Sequence, residues 1–130
     1  MKYPNNTENG CVPYAISVIE ESEKEITSNR LFTEIYTKHY NELKTRNGIT
    51  PGGTKISVSR PYLTELGYIG YTFGDTHFKV GRIAREFEPE SNKIIATKNH
   101  VTAVLGAEIV DPVANKNKKV LEVWVKETRS

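Results

Sequence analysis

The spacing of apolar residues changes partway along the chain, and this change limits the folds open to it. Up to about residue 87, most apolar residues recur at the three- and four-residue intervals of amphipathic helices. From Lys93 onwards they fall in short runs rich in β-branched residues, separated by turn residues. Helices followed by a small antiparallel sheet predict an α+β domain with segregated elements.

The pattern predicts helices and strands as follows. The predicted helices are Cys11 to about Glu23, Ser28–Lys44, Ser57–Leu66 and Val80–Phe87. The predicted strands are Tyr68–Phe73, Lys93–Thr97, His100–Leu105, Glu108–Val110 and Val120–Val125, with a tight hairpin at Gly106.

Local details complete this prediction. Pro13 is tolerated in the first turn of a helix, and Pro61 would have to lie in the first turn of another. The segment 50–54 is predicted as a loop from its turn residues. His39 is predicted to be exposed to solvent on the second helix. The apolar stripe of that helix is predicted to be Leu31, Ile35, Tyr36, Tyr40 and Leu43.

Length and composition limit the number of domains and the classes of function that the chain can have. The 130 residues predict one domain over 1–130, with residues 1–10 as an extended arm. The 18 basic and 16 acidic residues give a net charge of +2, which argues against nucleic acid as the main partner. No apolar run approaches the length of a membrane helix, and no signal peptide is recognisable. With one cysteine and hence no intramolecular disulfide, we expect a cytoplasmic protein, whose oligomeric state stays open.

Three residues together suggest nucleophilic catalysis. Cys11 begins a predicted helix, where the helix dipole favours the thiolate. His100 begins a strand, and Asp111 follows 11 positions later, beyond a hairpin turn, where it could orient the imidazole. The backbone N–H of Cys11 and a side-chain amide, from Asn5 or Asn6, could stabilise an oxyanion.

These residues resemble the pattern of the papain-like cysteine peptidase superfamily, in particular its small phage and bacterial members. That pattern is an amide residue, a Cys that opens a helix, a distant His on a strand, and then Asn or Asp. Here it reads Asn5, then Cys11-Val-Pro-Tyr-Ala, then His100-Val-Thr-Ala-Val, then Asp111-Pro112. The family usually has Gln where this chain has Asn5, which is one methylene shorter.

The resemblance extends through the middle of the chain and implies a role for each site residue. Segments at 53–54, 62–68 and 80–84 are similar to parts that these small proteins place between Cys and His. The resemblance implies a papain-like minimal domain with Cys11 as nucleophile and His100 as general base, then acid. It also implies Asp111 as the orienting residue, and Asn5 (or Asn6) as the oxyanion amide. The implied function is a cysteine-dependent peptidase, amidase or isopeptidase that needs no cofactor or metal and acts on a peptide or protein. Transfer of the acyl group to an amine instead of water is the same chemistry, and the sequence does not distinguish the two.

Plainer interpretations exist for each residue. Cys11 alone could be a small buried hydrophobe, His100 a strand-end histidine, and Asp111-Pro112 a turn. The ordered combination favours the catalytic interpretation. The alternative is a catalytically inactive papain-like protein that serves as a binding or inhibitor module. If it is phage-encoded, it would act on a host factor in the host cytoplasm.

Other candidate sites are weaker. Asp75 and His77 have no further ligands in sequence, so no metal site is predicted. No phosphate-binding glycine motif is present. The basic run Lys116–Lys119 is predicted to be a solvated turn. Ordinary packing is favoured over a nucleic-acid stacking surface for Arg60 and the aromatic residues Tyr62, Tyr68, Tyr71 and Phe73.

Overall fold

The computed structural model describes residues 11–50, 53–74, 77–98, 100–110 and 116–126. Within these ranges the chain forms an α+β fold. The helices are α1 (Cys11–Ser22), α2 (Asn29–Thr45), α3 (Ile56–Glu65) and α4 (Val80–Glu86). The strands are β1 (Ile49–Thr50), β2 (Gly53–Thr54), β3 (Tyr68–Thr72), β4 (Lys93–Ala96), β5 (Val101–Leu105), β6 (Glu108–Ile109) and β7 (Glu122–Lys126).

The main sheet has five strands in the order β3-β7-β4-β5-β6, and every neighbouring pair is antiparallel. Alternate residues of its strands therefore face opposite sides. Ile94, Ala103 and Trp124 face a core formed with α1, α2 and α3. Ile95 and Val123 face a second core, formed with α4. The sheet thus separates two helical layers of unequal size.

α1 is the central helix of the larger layer. Every residue from Val12 to Ile19 is buried, because α1 packs against α2 on one side and β5 on another. The sequence predicted a single apolar stripe, but the structure encloses the helix on all sides. The buried hydroxyl of Ser17 in this stretch donates to the carbonyl of Pro13 at 2.6 Å. An internal helix requires such local satisfaction of polar groups.

The second helix begins as predicted but turns a different face inward. Ser28 is its N-cap, and its Oγ accepts a hydrogen bond from the Leu31 N–H at 3.0 Å. The prediction for the stripe was wrong for three positions: Leu31, Tyr36 and Tyr40 are only half-buried. The buried residues of α2 are Phe32, Ile35, His39 and Leu43.

Two smaller predictions also need correction. Pro61 lies at the sixth position of α3, beyond the first turn, where it removes one intrahelical hydrogen bond. Burial of the next two residues, Tyr62 and Leu63, offsets that loss by about 1.5–3 kcal/mol each. The segment predicted as a loop at 50–54 contains strand β2 and the last residue of β1, Thr50, which pairs with Gly53.

Hydrogen bonds to the start of β4 hold the turn between β5 and β6 in place. Gly106 adopts a positive φ of 64°, as a tight turn requires. Its N–H donates to Asn92 Oδ1 at 3.0 Å. Lys93, fully buried, donates from Nζ to the carbonyls of Gly106, Glu88 and Ser91 at 2.5, 3.0 and 3.2 Å. Burial lowers the pKa of Lys93 to about 8, against the opposing charge of Glu88.

In the part of the chain that the structure describes, no helix is long and apolar enough to cross a membrane.

Candidate functional site

Cys11 is the first residue of α1 and is partly exposed, with its inner side against the larger core. The sequence predicts a helix from Cys11, and the described part of that helix starts at this residue. The first N–H groups of a helix have no partner within the helix and carry the positive end of its dipole. The thiol therefore lies where negative charge is favoured.

His100 immediately precedes β5 and is partly exposed. Its carbonyl accepts two hydrogen bonds from Thr97, one from the backbone N–H at 2.8 Å and one from Oγ1 at 3.1 Å. These bonds close the connection between β4 and β5. The backbone that carries the imidazole is therefore fixed on the sheet.

The strand register defines two ends of the sheet. At one, the Val101 end, β5 begins opposite Ala96, which in turn pairs with Glu122 of β7. At the other, the Leu105 end, Lys93 pairs with Val104 and Val125, and the neighbouring Lys126 of β7 pairs with Tyr68 of β3.

The polar contacts of α1 orient this helix on the sheet. Glu20, near the end of α1, contacts His39, which in turn is 2.5 Å from Tyr62 of α3. One turn further along, the carbonyl of Leu66 accepts a hydrogen bond from Lys126 Nζ at 3.1 Å, at the Leu105 end. α1 therefore ends at the Leu105 end. Because α1 packs on β5, it begins at the Val101 end. The rise from residue 11 to 20 is about 13 Å, and β5 spans about 13 Å, so the lengths match. Cys11 and His100 thus lie at the same end of the α1–β5 pair.

Asp111 and Asn5, together with Asn6, lie outside the described residues. The chain is described up to Val110, whose N–H donates to the carbonyl of Ala103 at 3.4 Å. β6 runs antiparallel to β5, from the Leu105 end back toward the Val101 end. At Val110, the last residue described before Asp111, the chain is therefore running toward the Val101 end of the sheet, which is the end at which His100 lies.

A second polar cluster lies at the other end of α1, and it contains the histidine whose environment was predicted wrongly. His39 is 0% exposed rather than solvated. Its Nδ1 is 2.5 Å from the hydroxyl oxygen of Tyr62. Its Nε2 is in close contact with a carboxylate oxygen of Glu20, although without the alignment of a linear hydrogen bond. Three helices, α1, α2 and α3, each supply one member of this cluster.

The titration behaviour of the cluster follows from its burial and charges. Burial alone would raise the pKa of Glu20, but the contact and charge of His39, with Lys38 and Lys126, hold it below the usual value. Burial, with the nearby carboxylates Glu42 and Glu20, raises the pKa of Tyr62 to about 12. Tyr62 therefore remains a neutral hydroxyl across the physiological range.

The sequence contained a signal for this cluster. Phe32, Ile35, His39 and Leu43 are separated by three, four and four positions, which is the spacing of one helix face. A histidine in an apolar stripe needs buried partners for both ring nitrogens. The partners come from α1 and α3, so helix periodicity alone could not identify them.

An ion pair marks the Val101 end of the sheet. Glu122 accepts a hydrogen bond from Trp124 Nε1 at 3.0 Å and from Arg60 Nε at 3.1 Å. Burial would raise the pKa of Glu122, but its bonds with Arg60 and Trp124 hold it below its usual range. This carboxylate is therefore ionised at neutral pH and fixed by two partners. Among the described residues, no three His, Cys, Asp or Glu side chains lie together as a metal site.

Comparisons of the chain with protein-family models, with curated proteins and with solved structures give no match. The functional interpretation therefore depends on the residues and their arrangement.

Proposed function

We propose that the chain is a papain-like cysteine hydrolase that acts on an amide or isopeptide bond of a peptide or protein. The observation that supports this most is the common end of Cys11 and His100: a buried helix begins with the thiol where the adjacent strand begins after the imidazole. The helix start favours the thiolate, and a nearby imidazolium favours it further.

In the proposed reaction, His100 accepts the Cys11 thiol proton and the sulfur attacks the substrate carbonyl. The carbonyl oxygen becomes an oxyanion, stabilised by the Cys11 N–H and the side-chain amide of Asn5 or Asn6. The C–N bond then breaks, and His100 gives its proton to the leaving amine. Water then attacks the resulting thioester and loses a proton to His100. The C–S bond breaks, the acid product leaves, and the proton on His100 returns to the sulfur of Cys11. Asp111 is proposed to orient the imidazole, and no cofactor is needed.

Partial exposure suits both groups to this task. A nucleophilic thiol must be reachable by substrate, and an imidazole that exchanges protons with water must also reach solvent. Cys11 and His100 both meet this condition, whereas His39 does not. A cytoplasmic location belongs to the same proposal, because the single thiol must stay reduced to act.

The alternative is the inactive binding or inhibitor module, in which the fold is retained and Cys11 is inert. The two hypotheses differ in one measurable property. Only the hydrolase requires that Cys11 and His100 form a thiolate–imidazolium pair, so only the hydrolase predicts a reactive thiol below neutral pH.

The test is the rate of alkylation of Cys11 by iodoacetamide as a function of pH. We expect the wild-type protein to react well below pH 7, because a thiolate–imidazolium pair keeps the sulfur ionised there. An ordinary thiol reacts only as it ionises, at about pH 8.5. His100→Ala should remove this low-pH reaction. His77→Ala is the matched control, because His77 is exposed, and it should leave the profile unchanged. A single rise near pH 8.5 in all three proteins would refute the hydrolase proposal and leave the binding module.

A further inference from the structure

Six exposed basic side chains lie together around α4, on the face of the sheet opposite α1. The segment 116–120 runs beside 78–81: the N–H groups of Val80 and Gly81 donate to the carbonyls of Lys118 and Lys116 at 2.9 and 3.0 Å. Lys79 also forms a bridge with Lys119. This α4 surface comprises Lys79, Arg82, Arg85, Lys116, Lys118 and Lys119.

The α4 surface accounts for the positive charge of the whole chain. Two acidic residues of the part of the chain that the structure describes contact it: Glu86, which is 3.4 Å from Arg82 and 4.0 Å from Arg85, and Glu108, which lies near Arg85 and Lys116. Counted with these two, the six basic residues carry a net charge of +4. The remaining 12 basic and 14 acidic residues give −2, which together make the total of +2. A balanced overall composition hides a strongly cationic surface.

A groove of about 690 Å³ lies within this surface. Its lining includes three charged side chains, Arg85, Lys116 and Glu108, and also Gly81 of α4. The rest of its lining is apolar: Ala84, Leu105, Ala107 and Ile109. A concave apolar floor with a few charged groups at its border is the usual form of a binding site for a small or extended ligand.

The neighbouring aromatic rings argue against a single-stranded nucleic acid as the ligand. Phe73 packs edge-to-face on both Phe78 and Phe87, with ring centroids 6.1 and 5.2 Å apart. Tyr71 also meets Phe87 edge-to-face, and the guanidinium of Arg82 covers the ring of Phe78 at 4.9 Å. These contacts leave Phe73, Phe78 and Phe87 only partly exposed, whereas nucleobases need open ring faces on which to stack.

We propose that the groove of the α4 surface binds an acidic, extended peptide segment of a partner protein. The carboxylates of the segment would pair with Arg85 and Lys116, and its apolar side chains would cover the floor near Ala107. The surrounding cations would raise the rate of encounter with such a segment. This site does not depend on the proposed hydrolase, because α1 and α4 lie on opposite faces of the sheet.

The test is fluorescence anisotropy with a labelled peptide of about six alternating Glu and Leu residues, which is about 20 Å when extended. We expect saturable binding that weakens as salt is raised. The double variant Arg85→Glu/Lys116→Glu should weaken binding by at least about tenfold. The matched control Lys24→Glu/Lys44→Glu makes the same charge change at exposed positions of the other helical layer and should bind nearly as well as wild type.

A further variant separates the groove from general attraction by charge. Ala107→Trp fills the exposed floor without any change in charge, and it should also weaken binding. The proposal is overturned if the control double variant loses as much affinity as Arg85→Glu/Lys116→Glu, or if Ala107→Trp binds like wild type. It is equally overturned if an alternating Lys and Leu peptide binds as tightly, or if oligothymidylate binds more tightly than the acidic peptide. Circular dichroism of each variant verifies that it is folded, and Lys116→Gln replaces the charge-reversal double variant if that variant does not fold.

Discussion

The two ends of α1 carry polar groups of opposite character. At its start, Cys11 lies at the same end as His100, and both side chains are partly exposed. Near its finish, Glu20 contacts a His39 that is completely buried and also bonded to Tyr62. One helix thus presents a histidine-containing end that reactants can reach and another that is enclosed.

The comparison teaches that a nearby acid and a histidine do not by themselves make a reactive site. A buried polar cluster contributes to folding when its members satisfy one another, and it is costly when one is removed. A pair of polar residues that is exposed to solvent contributes little to stability, so its replacement costs the fold little. The loss in the free energy of unfolding when each histidine is replaced is therefore the most direct way to distinguish the two ends of α1.

The largest expected effect is that of His39→Ala. The substitution leaves a cavity and removes the hydrogen-bond partner of Tyr62, so we expect the free energy of unfolding to fall by about 3 kcal/mol. His100→Ala should lower it by less than about 1 kcal/mol, because His100 is partly exposed. Urea denaturation followed by circular dichroism measures both. Equal losses in the free energy of unfolding for the two variants would contradict the distinction between the two ends of α1.

Tyr62→Phe should have an intermediate effect. It deletes only the hydroxyl that lies 2.5 Å from His39 Nδ1, and we expect a loss of about 1–2 kcal/mol in the free energy of unfolding. Tyr40→Phe is the control on a half-buried ring of α2, for which we expect less than about 0.5 kcal/mol. If both variants are equally stable in urea, the His39–Tyr62 contact does not stabilise the fold.

The pH dependence of stability gives a smaller and separate test. The pKa of Glu20 is lowered in the folded state, so its ionised form stabilises the fold above the unfolded-state value of 4.5. This contribution disappears as the pH falls below 4.5 toward the folded-state pKa. Glu20→Gln should therefore reduce the decline in stability over this acid range. Thermal denaturation between about pH 6 and pH 3 measures it, and unchanged pH slopes would contradict it.

The smallest effect is expected at the Val101 end of the sheet. Arg60→Met removes the exposed side of the ion pair with Glu122 and should cost at most about 1 kcal/mol. Trp124 still donates to Glu122, so the carboxylate keeps one partner. A loss as large as that of His39→Ala, measured by the same urea titration, would show that this end is also a structural cluster.

Local signals predicted most of the fold. The helix around Ile35 and Leu43 could be located from its periodicity and from Ser28 as its cap, because both depend on neighbouring residues. The turn at Gly106 was predictable for the same reason. The β1–β2 pair was not, because strands of two residues leave no pattern in a sequence.

Long-range relations were less accessible to prediction. That β3 is the edge strand beside β7 depends on pairing between residues 50 to 58 positions apart, for which local propensity contains no information. The candidate Cys11–His100 site came from residue types, their predicted placement and a resemblance of motifs, whereas their common end follows only from the packing and direction of α1 on the sheet. The role of His39 was missed because its partners belong to two other helices.

The buried ammonium of Lys93 fixes the length of the β5–β6 turn. One of its three carbonyl acceptors belongs to Gly106, and Asn92 accepts the N–H of the same glycine. Surface turns usually tolerate insertions. Here an added residue would draw an acceptor away from a buried cation, which costs far more than the closure of a longer loop. Anyone who inserts an epitope or a reporter into this chain should therefore avoid the Gly106 turn, although it is the plainest hairpin in the sequence.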